Sequence, residues 1–555
     1  MSNTFNHLPM KWNFAEKTEH LYRFGFKDND IEKFSKNITQ SLVREAVQNS
    51  LDALDIENHS CVRMIVKKGK VSKSTLPNFQ EIEKHLRACI DDENDPSENA
   101  EIQRHLDAIE TSDYSFIEIA DYNTIGMDRK SFESLTQASF KSTKTHQGSL
   151  GSKGVGKAVY YANSYLRTML VTTRQESEIR YRAATRLSTH KDPYNPFKEF
   201  NNVGFYGPLD PVQESSIPQV FRREEPGTSI FVIGNWKNDN FQEEVIEEVL
   251  RNYWFAIADE QLVIEVEGQE LNKDNLEQNI NRFFPDYKDY KTGEKQNPRA
   301  YFESHKNGKL YEREIPHIGT CKLWLNKIAD YNLGAVARFR KTKMLIYKEN
   351  NLDPGFAGVF VCDNEKGNSF LKEIENDAHD EWNPNINLKY RERAKETLNS
   401  IKEFIREEYR NYSGIDDTTA FGVDILDDLF NFSTVIGRSV TKNGKPKRQD
   451  PDPEDLEKKD RLLIDQNFEA FETKDGWKYA LSFKSKTTAY NQRFRVSIGT
   501  DSSSDFVDIL SAPEGCSFKD NILTISDIRE GNNEIFFLEL DSPYLISPSI
   551  TSISK

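Results

Sequence analysis

The sequence is short of cysteine, of long apolar runs and of any targeting signal. Its 5 cysteines among 555 residues are scattered without CxxC spacing, which excludes a disulfide framework and a zinc site of the usual kind. No stretch reaches the apolar length of a membrane span, and the N-terminus has no basic region followed by an apolar core. A soluble cytoplasmic protein without a membrane partner is therefore expected.

An excess of basic charge is also missing, because the formal net charge is −16. Lysine and arginine dominate binding to phosphates, so this charge argues against a surface that attracts nucleic acid everywhere. DNA remains a possible partner only through local patches, of which Lys67 to Lys73 and Arg338 to Lys343 are the densest. A solvated loop or strand edge is the simpler interpretation of the first patch.

The HDEW segment places a histidine beside an acid, at His379 and Asp380. No serine or cysteine elbow accompanies it, and the chain has no PD...ExK nuclease cluster. A local cap or interface contact is the preferred interpretation, and a second active site is not predicted.

The segment EAVQNSLDA, Glu45 to Ala53, has the spacing of an amphipathic helix. The apolar residues that recur at this spacing are Leu42, Val43, Ala46, Val47, Leu51 and Leu54. Glu45, Asn49 and Asp52 then share one stripe, on which Glu45 can hold a water and Asn49 can offer its oxygen to Mg²⁺. The alternative is a solvated polar face, which this segment alone would favour.

A second polar group follows a short buried strand, Phe116 to Ala120. Asp121 ends this strand, where a carboxylate can accept the amino proton of an adenine. The turn after it contains Asn123 and Gly126, two residues that tolerate positive φ. An ordinary aspartate at a strand end is the alternative.

The third segment is rich in glycine, with Gly148, Gly151, Gly154 and Gly156 ahead of an apolar helical run. Backbone amides at such a helix N-terminus form a phosphate cradle, although a flexible loop is the alternative. The loop nearly matches the P-loop pattern GxxxxGK[ST]. That interpretation is rejected because Ala158 lacks the hydroxyl for Mg²⁺ and the preceding residues are too polar for a buried strand.

In combination these segments resemble the GHKL ATPase superfamily of gyrases, heat-shock chaperones, histidine kinases, MutL and MORC ATPases. The ExxxNxxDA box corresponds to Glu45 to Ala53, the GxxGxG box to Gly151 to Gly156, and a later GT pair to Gly227 and Thr228. Prokaryotic MORC-like ATPases are the most similar branch. The match in order and spacing covers the first 230 or so residues.

The first glycine box departs from the family's DxGxG pattern. Gly126 lies five residues after Asp121 rather than four, and Asn123 stands where the first glycine would be. Because asparagine tolerates the left-handed conformation, a rebuilt turn is expected.

The resemblance implies a role for each matched residue. Glu45 would be the general base, Asn49 the Mg²⁺ ligand, and Asp121 the contact to adenine, helped by Thr228. ATP and Mg²⁺ are therefore the implied cofactors. The other implied nucleotide-binding residues are Asp52, Gly126, Met127, Lys144, Gly151, Gly154, Val155, Gly156 and Lys157.

The expected fold class is α+β. The predicted domains are a Bergerat-type ATP-binding α/β sandwich at 1–235, a β-α-β transducer-like domain at 236–435, a charged linker at 436–460 and a small all-β sandwich for interaction at 461–555. Within the first, a helical insertion is predicted at about 76–112 and a lid at about 122–150. The resemblance implies that Lys341 or Lys343 in the second contacts the γ-phosphate, whereas exposed strand lysines are the alternative.

The expected function is an ATP-dependent clamp that hydrolyses ATP and forms a homodimer when ATP binds. The MORC-like branch implies a companion nuclease or other effector, in a DNA-related or phage-defence process. A nucleotide-gated switch with little turnover and a chaperone-like ATPase are the alternatives. Candidate dimer anchors are Trp12, Phe14, Tyr22, Phe24 and Phe26.

Overall fold

The computed structural model describes most of the chain. The described residues are 10–18, 22–32, 34, 38–91, 95–137, 156–288, 297–350, 352–376, 379–414, 463–473, 476–485, 488–499, 504–506, 509–513, 515–519, 522–529, 531–540 and 548–552. Contacts divide the chain into two units, Met1–Gly422 and Val423–Lys555. The predicted linker, residues 436–460, lies outside the described residues.

A 10-stranded mixed sheet forms the framework of the first unit. Its strands are β1 (Trp12–Glu16), β2 (Val62–Ser72), β3 (Asp113–Tyr122), β4 (Ser164–Arg174), β5 (Ile179–Arg186), β6 (His190–Asp192), β7 (Asn195–Tyr206), β8 (Gly227–Asn235), β9 (Leu262–Val266) and β10 (Gln269–Leu271). Their order is β1-β7-β5-β4-β8-β3-β2-β9-β10, with β6 beside β7. Only β2 and β9 pair in parallel among the described neighbours in this sheet. The central strands β4 and β8 are buried nearly throughout, as expected when both faces of a sheet are covered.

Helices cover both faces of this sheet. The helices of the described part of this unit are α1 (Asn29–Glu32), α2 (Ile38–Asp52), α3 (Glu81–Arg87), α4 (Pro96–Asp107), α5 (Arg129–Thr136), α6 (Ala158–Ala162), α7 (Phe241–Ala258), α8 (Leu276–Phe283), α9 (Arg299–Asn307), α10 (Glu365–Glu373) and α11 (Arg391–Ser413). Of these, α9, α10 and α11 contact a second sheet of the same unit. On one face, Val47 of α2 and Leu250 of α7 share a core with Val66 of β2. On the other face, Leu86 of α3 and Ile102 of α4 pack with Phe116 of β3. In the described part of the chain, no helix combines the length and apolarity needed to span a membrane.

A second, five-stranded sheet belongs to the same unit. Its strands are β11 (Lys309–Ile315), β12 (Gly319–Lys327), β13 (Gly334–Arg340), β14 (Leu345–Asn350) and β15 (Phe356–Cys362), in the order β11-β12-β15-β13-β14. Phe339 of β13 packs edge-on against Phe255 of α7, with ring centroids 5.0 Å apart. This sheet therefore shares the core that also holds helix α2.

The second unit contains strands only, among its described residues. They are β16 (Leu463–Thr473), β17 (Gly476–Ser485), β18 (Ala489–Gly499), β19 (Ser504–Phe506), β20 (Ile509–Ser511), β21 (Cys516–Lys519), β22 (Ile522–Ile528), β23 (Gly531–Leu540) and β24 (Pro548–Ser552). They form two antiparallel sheets, β16-β17-β23-β20 and β19-β18-β22-β21, with β24 on β18. The α+β class predicted from the sequence is confirmed: a large mixed sheet with helices, followed by additional β structure.

Candidate functional site

Helix α2 carries the acid and the amide of the first motif. Val43 and Val47 are buried on its core side, whereas Glu45 is half-buried and Asn49 is exposed. Asn49 Nδ2 donates to Glu45 Oε1 at 2.9 Å across one helical turn. The i, i+4 spacing read from the sequence therefore brings these two side chains into contact.

The end of the glycine-rich loop lies against Glu45. A Cβ atom on Gly156 would sit 2.2 Å from Glu45 Oε2, so a side chain at this position would displace the carboxylate. Tyr160 of the following helix α6 is fully buried near Glu45 and Asn49, and burial raises the pKa of its phenol. The remaining predicted loop residues, Lys144, Gly151, Gly154 and Val155, lie outside the described residues.

Asp121 lies near the end of β3, and its carboxylate accepts hydrogen bonds from three donors. Its Oδ1 accepts from the Thr228 amide at 2.8 Å and from Thr124 Oγ1 at 2.5 Å. Its Oδ2 accepts from Ser50 Oγ of helix α2 at 3.2 Å. Burial raises the pKa of Asp121, and the nearby guanidinium of Arg223 is the main influence that lowers it. The structure thus places the Thr228 backbone amide on the Asp121 carboxylate.

The turn after Asp121 is rebuilt, as predicted. Asn123 and Gly126 both adopt positive φ, at 63° and 66°. Asn123 Nδ2 donates to the Cys61 carbonyl at 2.9 Å, and the Ile125 amide donates to the Ala53 carbonyl at 3.0 Å. The first bond ties the turn to the residue before β2, and the second ties it to the end of helix α2.

Met127 follows this turn and is joined to the strand that begins with the GT pair. Its amide donates to Thr173 Oγ1 at 2.8 Å, and that hydroxyl lies 3.0 Å from Thr228 Oγ1. Gly126 has no room for a side chain, because its Cβ would lie 2.2 Å from the Arg174 carbonyl oxygen. Met127 is thus connected through the Thr173 hydroxyl to Thr228, whose amide donates to Asp121.

Lys157 follows Gly156 but is turned into the protein. Its Nζ donates to the Ser134 carbonyl of α5 at 2.8 Å. Burial lowers the pKa of this amine to about 8, and the positive charge of Arg186 acts in the same direction.

The two candidate transducer lysines lie in the turn between β13 and β14. Lys341 is partly exposed and forms an ion pair with Glu365 at the surface. Lys343 is 3% exposed, with Nζ at 3.4 Å from Asp363 Oδ2, so the alternative of an exposed strand lysine does not apply to it. Among the described contacts, neither lysine touches Glu45, Asn49 or Asp121.

Asp52 is the remaining member of the first motif, and it forms an ion pair with a residue of helix α10. Lys372 of α10 lies with Nζ 3.1 Å from Asp52 Oδ2. This ion pair connects the C-terminal end of helix α2 to the region that follows the first domain of the sequence prediction.

Sequence reasoning missed four residues that surround the predicted ones: Ser50, Thr124, Tyr160 and Arg223. Ser50 directly follows Asn49, and Thr124 lies within the Asp121 turn, so both were next to a motif. Arg223 precedes the GT pair by four residues, but no pattern in RREEPGT distinguishes it from its neighbour Arg222.

A glycine substitution tests how tightly the Asp121 end of the site is packed. Gly227 has φ +126°, and its Cβ would lie 2.6 Å from the Asp121 carbonyl oxygen. We expect Gly227→Ala to lower the free energy of unfolding by about 2 to 4 kcal/mol, from backbone strain plus overpacking. Urea unfolding measures this change.

Gly268 provides the matched control. It has φ +82° with nothing within 4 Å of a Cβ. Gly268→Ala should cost only the backbone term, about 1 to 2 kcal/mol. Equal losses in the two variants would contradict the crowded geometry at Gly227.

Comparison of the sequence with protein-family models and with curated proteins finds no match. Among solved structures, the chain is similar to the B-subunit of the DNA gyrase from Myxococcus xanthus, at 7% identity and a TM-score of 0.28, covering 60% of this chain and 85% of that chain. It is also similar to the 43K ATPase domain of Thermus thermophilus gyrase B in complex with an aminocoumarin, at 11% identity and a TM-score of 0.25, covering 70% of this chain and 92% of that chain. Similarity this low decides nothing about the site, whose chemistry follows from this chain's own residues.

Proposed function

We propose that this chain is an ATP-binding hydrolase of the GHKL type. The observation that supports it most is the convergence of two distant segments on helix α2. Glu45 of this helix contacts Asn49 and the end of the glycine-rich loop at Gly156, and Ser50 of the same helix binds Asp121. A positioned carboxylate, an amide, a glycine loop and an acceptor for the base are the groups that ATP hydrolysis with Mg²⁺ requires.

Each residue then has a chemical task. Asp121 accepts the amino proton of adenine, and the glycine-rich loop that ends at Gly156 surrounds the phosphates. Glu45 lies beside the end of that loop and takes a proton from the attacking water. Phosphoryl transfer needs positioning and charge stabilisation more than covalent chemistry, and these residues provide groups of both types.

The donor set also fits Mg²⁺. Proteins hold Mg²⁺ in nucleotide sites through one or two side-chain oxygens together with the phosphates. Asn49 directs its nitrogen to Glu45, which leaves its amide oxygen for a cation. Mg²⁺ would neutralise charge on the phosphates when it is bound.

The alternative function is a nucleotide-gated switch with little turnover. The rebuilt turn at Asn123 and Gly126 favours it, since a changed adenine-side loop can alter how the nucleotide is seated. A steady-state phosphate-release assay with and without DNA, together with calorimetric titration of a non-hydrolysable ATP analogue, separates the two. Binding with turnover supports the hydrolase, binding without turnover supports the switch, and no binding overturns both.

We propose further that ATP binding joins two copies of the chain. Trp12 and Phe26 are buried in their own core, and Trp12 Nε1 donates to the Phe79 carbonyl at 2.9 Å, so they are not free to act as anchors. Tyr22 is 85% exposed and Phe24 is 45% exposed, and these two remain candidates. A companion nuclease or other defence effector, as the MORC resemblance implies, would act with this dimer.

The dimer is tested by light scattering with the non-hydrolysable analogue, which should double the mass. Tyr22→Ala should weaken this dimer, because a large exposed aromatic is a frequent interface anchor. Tyr194→Ala, which removes a 64% exposed aromatic from another segment, is the control. A monomer in the presence of saturating analogue would rule the dimer out.

For the transducer lysine, we propose Lys341 over Lys343. An exposed ion pair such as Lys341 with Glu365 costs about 0 to 1 kcal/mol to break, so Lys341 can be released to a γ-phosphate. Lys341→Ala should lower turnover about 10- to 100-fold with little change in stability. Lys343→Ala should instead destabilise the fold, because it removes a buried side chain that packs over the Phe255 ring and pairs with Asp363. If neither variant lowers turnover, the assignment fails.

A further inference from the structure

Arg223 is a buried cation next to the proposed adenine site, and neither motif nor resemblance assigns it a task. Only 3% of the residue is exposed. Its Nη1 donates to Ser229 Oγ at 2.8 Å, its Nε to the Glu225 carbonyl at 3.1 Å, and its Nη2 to the carbonyls of Pro226, at 3.1 Å, and of Asp121. Its guanidinium also lies over the Tyr122 ring, 4.5 Å from the centroid. Arg223 therefore joins the end of β3 to the start of β8.

None of the described hydrogen-bond acceptors of Arg223 carries a charge. Its hydrogen-bond acceptors are three backbone carbonyls and one hydroxyl, all of them neutral. The described carboxylate within 4.0 Å is that of Asp121, whose Oδ1 lies at that distance from Nη2. Burying a charge is costly unless an opposite charge is near, so the guanidinium and the Asp121 carboxylate stabilise each other in their ionised forms.

Asp121 has room for one more donor. An ionised carboxylate offers about four acceptor positions. Among the described residues, Oδ1 accepts from Thr228 and Thr124, but Oδ2 accepts from Ser50 alone. Adenine presents an amino group at position 6 that can donate to this free position, whereas guanine presents a carbonyl oxygen at position 6, which only a protonated carboxyl could serve.

We propose that Arg223 is a positioning residue that holds Asp121 in place and ionised, and thereby gives the site its preference for adenine over guanine. This inference rests on the proposed nucleotide site. The neighbours that face Asp121 are Ser50 from α2, Thr124 from the turn, the Thr228 amide from β8, Tyr160 from α6 and Arg223 itself. Arg223 is the one cation in this described set.

The sign of the pH effect follows from these neighbours. Burial raises the pKa of Asp121 and Arg223 opposes that rise. Removing the guanidinium therefore raises the pKa of Asp121 further. Adenine binding, which needs the ionised form, should then be lost at a higher pH than in the wild type as the pH falls.

The test is calorimetric titration of the full chain with non-hydrolysable ATP and GTP analogues between pH 6 and 8.5. Arg223→Gln keeps hydrogen-bond donors but removes the charge. We expect this variant to bind the ATP analogue about 10- to 100-fold more weakly and to show a smaller ratio of ATP-analogue to GTP-analogue affinity. The pH at which binding of the ATP analogue is lost should also be higher. Ser229→Ala is the matched control, since it removes one bond of Arg223 and leaves its charge, so the pH profile should not move.

Arg223→Lys supplies an independent variant should the glutamine variant fail to fold. It keeps the charge but not the planar set of donors, so it should retain the wild-type pH profile and lose part of the selectivity. The inference is overturned if a folded glutamine variant or a lysine variant keeps the selectivity and the pH profile of the wild type. It is also overturned if a variant loses affinity for both analogues by the same factor at every pH. A wild-type chain that binds neither analogue contradicts the proposed function instead.

Discussion

Glu45→Ala is expected to bind ATP with nearly wild-type affinity and to lose about two to four orders of magnitude in turnover. The reason is the position of the Glu45 carboxylate. It accepts from Asn49 and lies against the last glycine of the loop, at Gly156. In the proposed mechanism it contacts the attacking water rather than the nucleotide, so its loss removes an interaction that matters in the transition state.

Two measurements and two controls make this result specific. Single-turnover phosphate release gives the rate, and titration with the non-hydrolysable analogue gives the affinity. Glu45→Gln keeps the size of the side chain but not its basicity, and it should lose a comparable factor. Glu277→Ala removes a carboxylate from α8 that pairs with Lys306 at the surface, and it should leave turnover unchanged. Near-normal turnover in Glu45→Ala would remove this residue from the role of base.

Local patterns predicted one half of the site well. The apolar spacing around Glu45 predicted a helix, and α2 spans Ile38–Asp52 with Val43 and Val47 in the core. The apolar run before Asp121 predicted a strand, and β3 ends at Tyr122. Asn123 was predicted to replace a glycine, and its φ of 63° confirms the left-handed conformation. Each of these features is decided by residues within a few positions of one another.

The other half could not be predicted, because its contacts join residues far apart in the chain. Ser50 binds Asp121 across 71 positions, and Arg223 binds it across 102. No periodicity relates such pairs. The packing of helix α2 on the sheet brings Ser50 to Asp121, and the pairing of β3 with β8 brings the segment of Arg223 to it. The segment around Lys341 shows the same limit: a turn separates β13 from β14, and it buries Lys343 while Lys341 stays partly exposed, a difference that the KTK sequence does not show.

A buried network of charged side chains lies between the five-stranded sheet and helix α2. Arg340 and Glu375 have side chains that are 0% and 1% exposed, and they form two bonds: Nε to Oε2 at 2.8 Å and Nη2 to Oε1 at 3.1 Å. His379 Nδ1 lies 2.5 Å from Glu375 Oε1, and the His379 carbonyl accepts from Arg44 of α2 at 2.9 Å. The HDEW segment thus contacts helix α2 through Arg44 and the Glu375 carboxylate through the His379 ring.

Glu375 should make the stability of this unit depend on pH. Burial opposes ionisation of the carboxylate, but Arg340 and His379 outweigh it and lower the pKa of Glu375 from 4.5 to about 2. A carboxylate with a lowered pKa contributes stability above its unfolded pKa and loses it as the pH falls through the folded value. This shift corresponds to about 3 kcal/mol, present above pH 4.5 and lost as the pH falls toward about 2.

Glu375→Gln is therefore expected to lower the free energy of unfolding at pH 7 by about 3 to 5 kcal/mol, because Arg340 is left as a buried charge without its partner. Urea unfolding at pH 7 and at pH 2.5 measures the difference between variant and wild type. This difference should narrow at the lower pH, because Glu375 of the unfolded wild type is protonated there while Glu375 of the folded wild type is not. Glu365→Gln, in the exposed pair with Lys341, should change stability by less than about 1 kcal/mol at either pH. A difference for Glu375→Gln that is equally large at both pH values would mean that the carboxylate charge is not what stabilises this network.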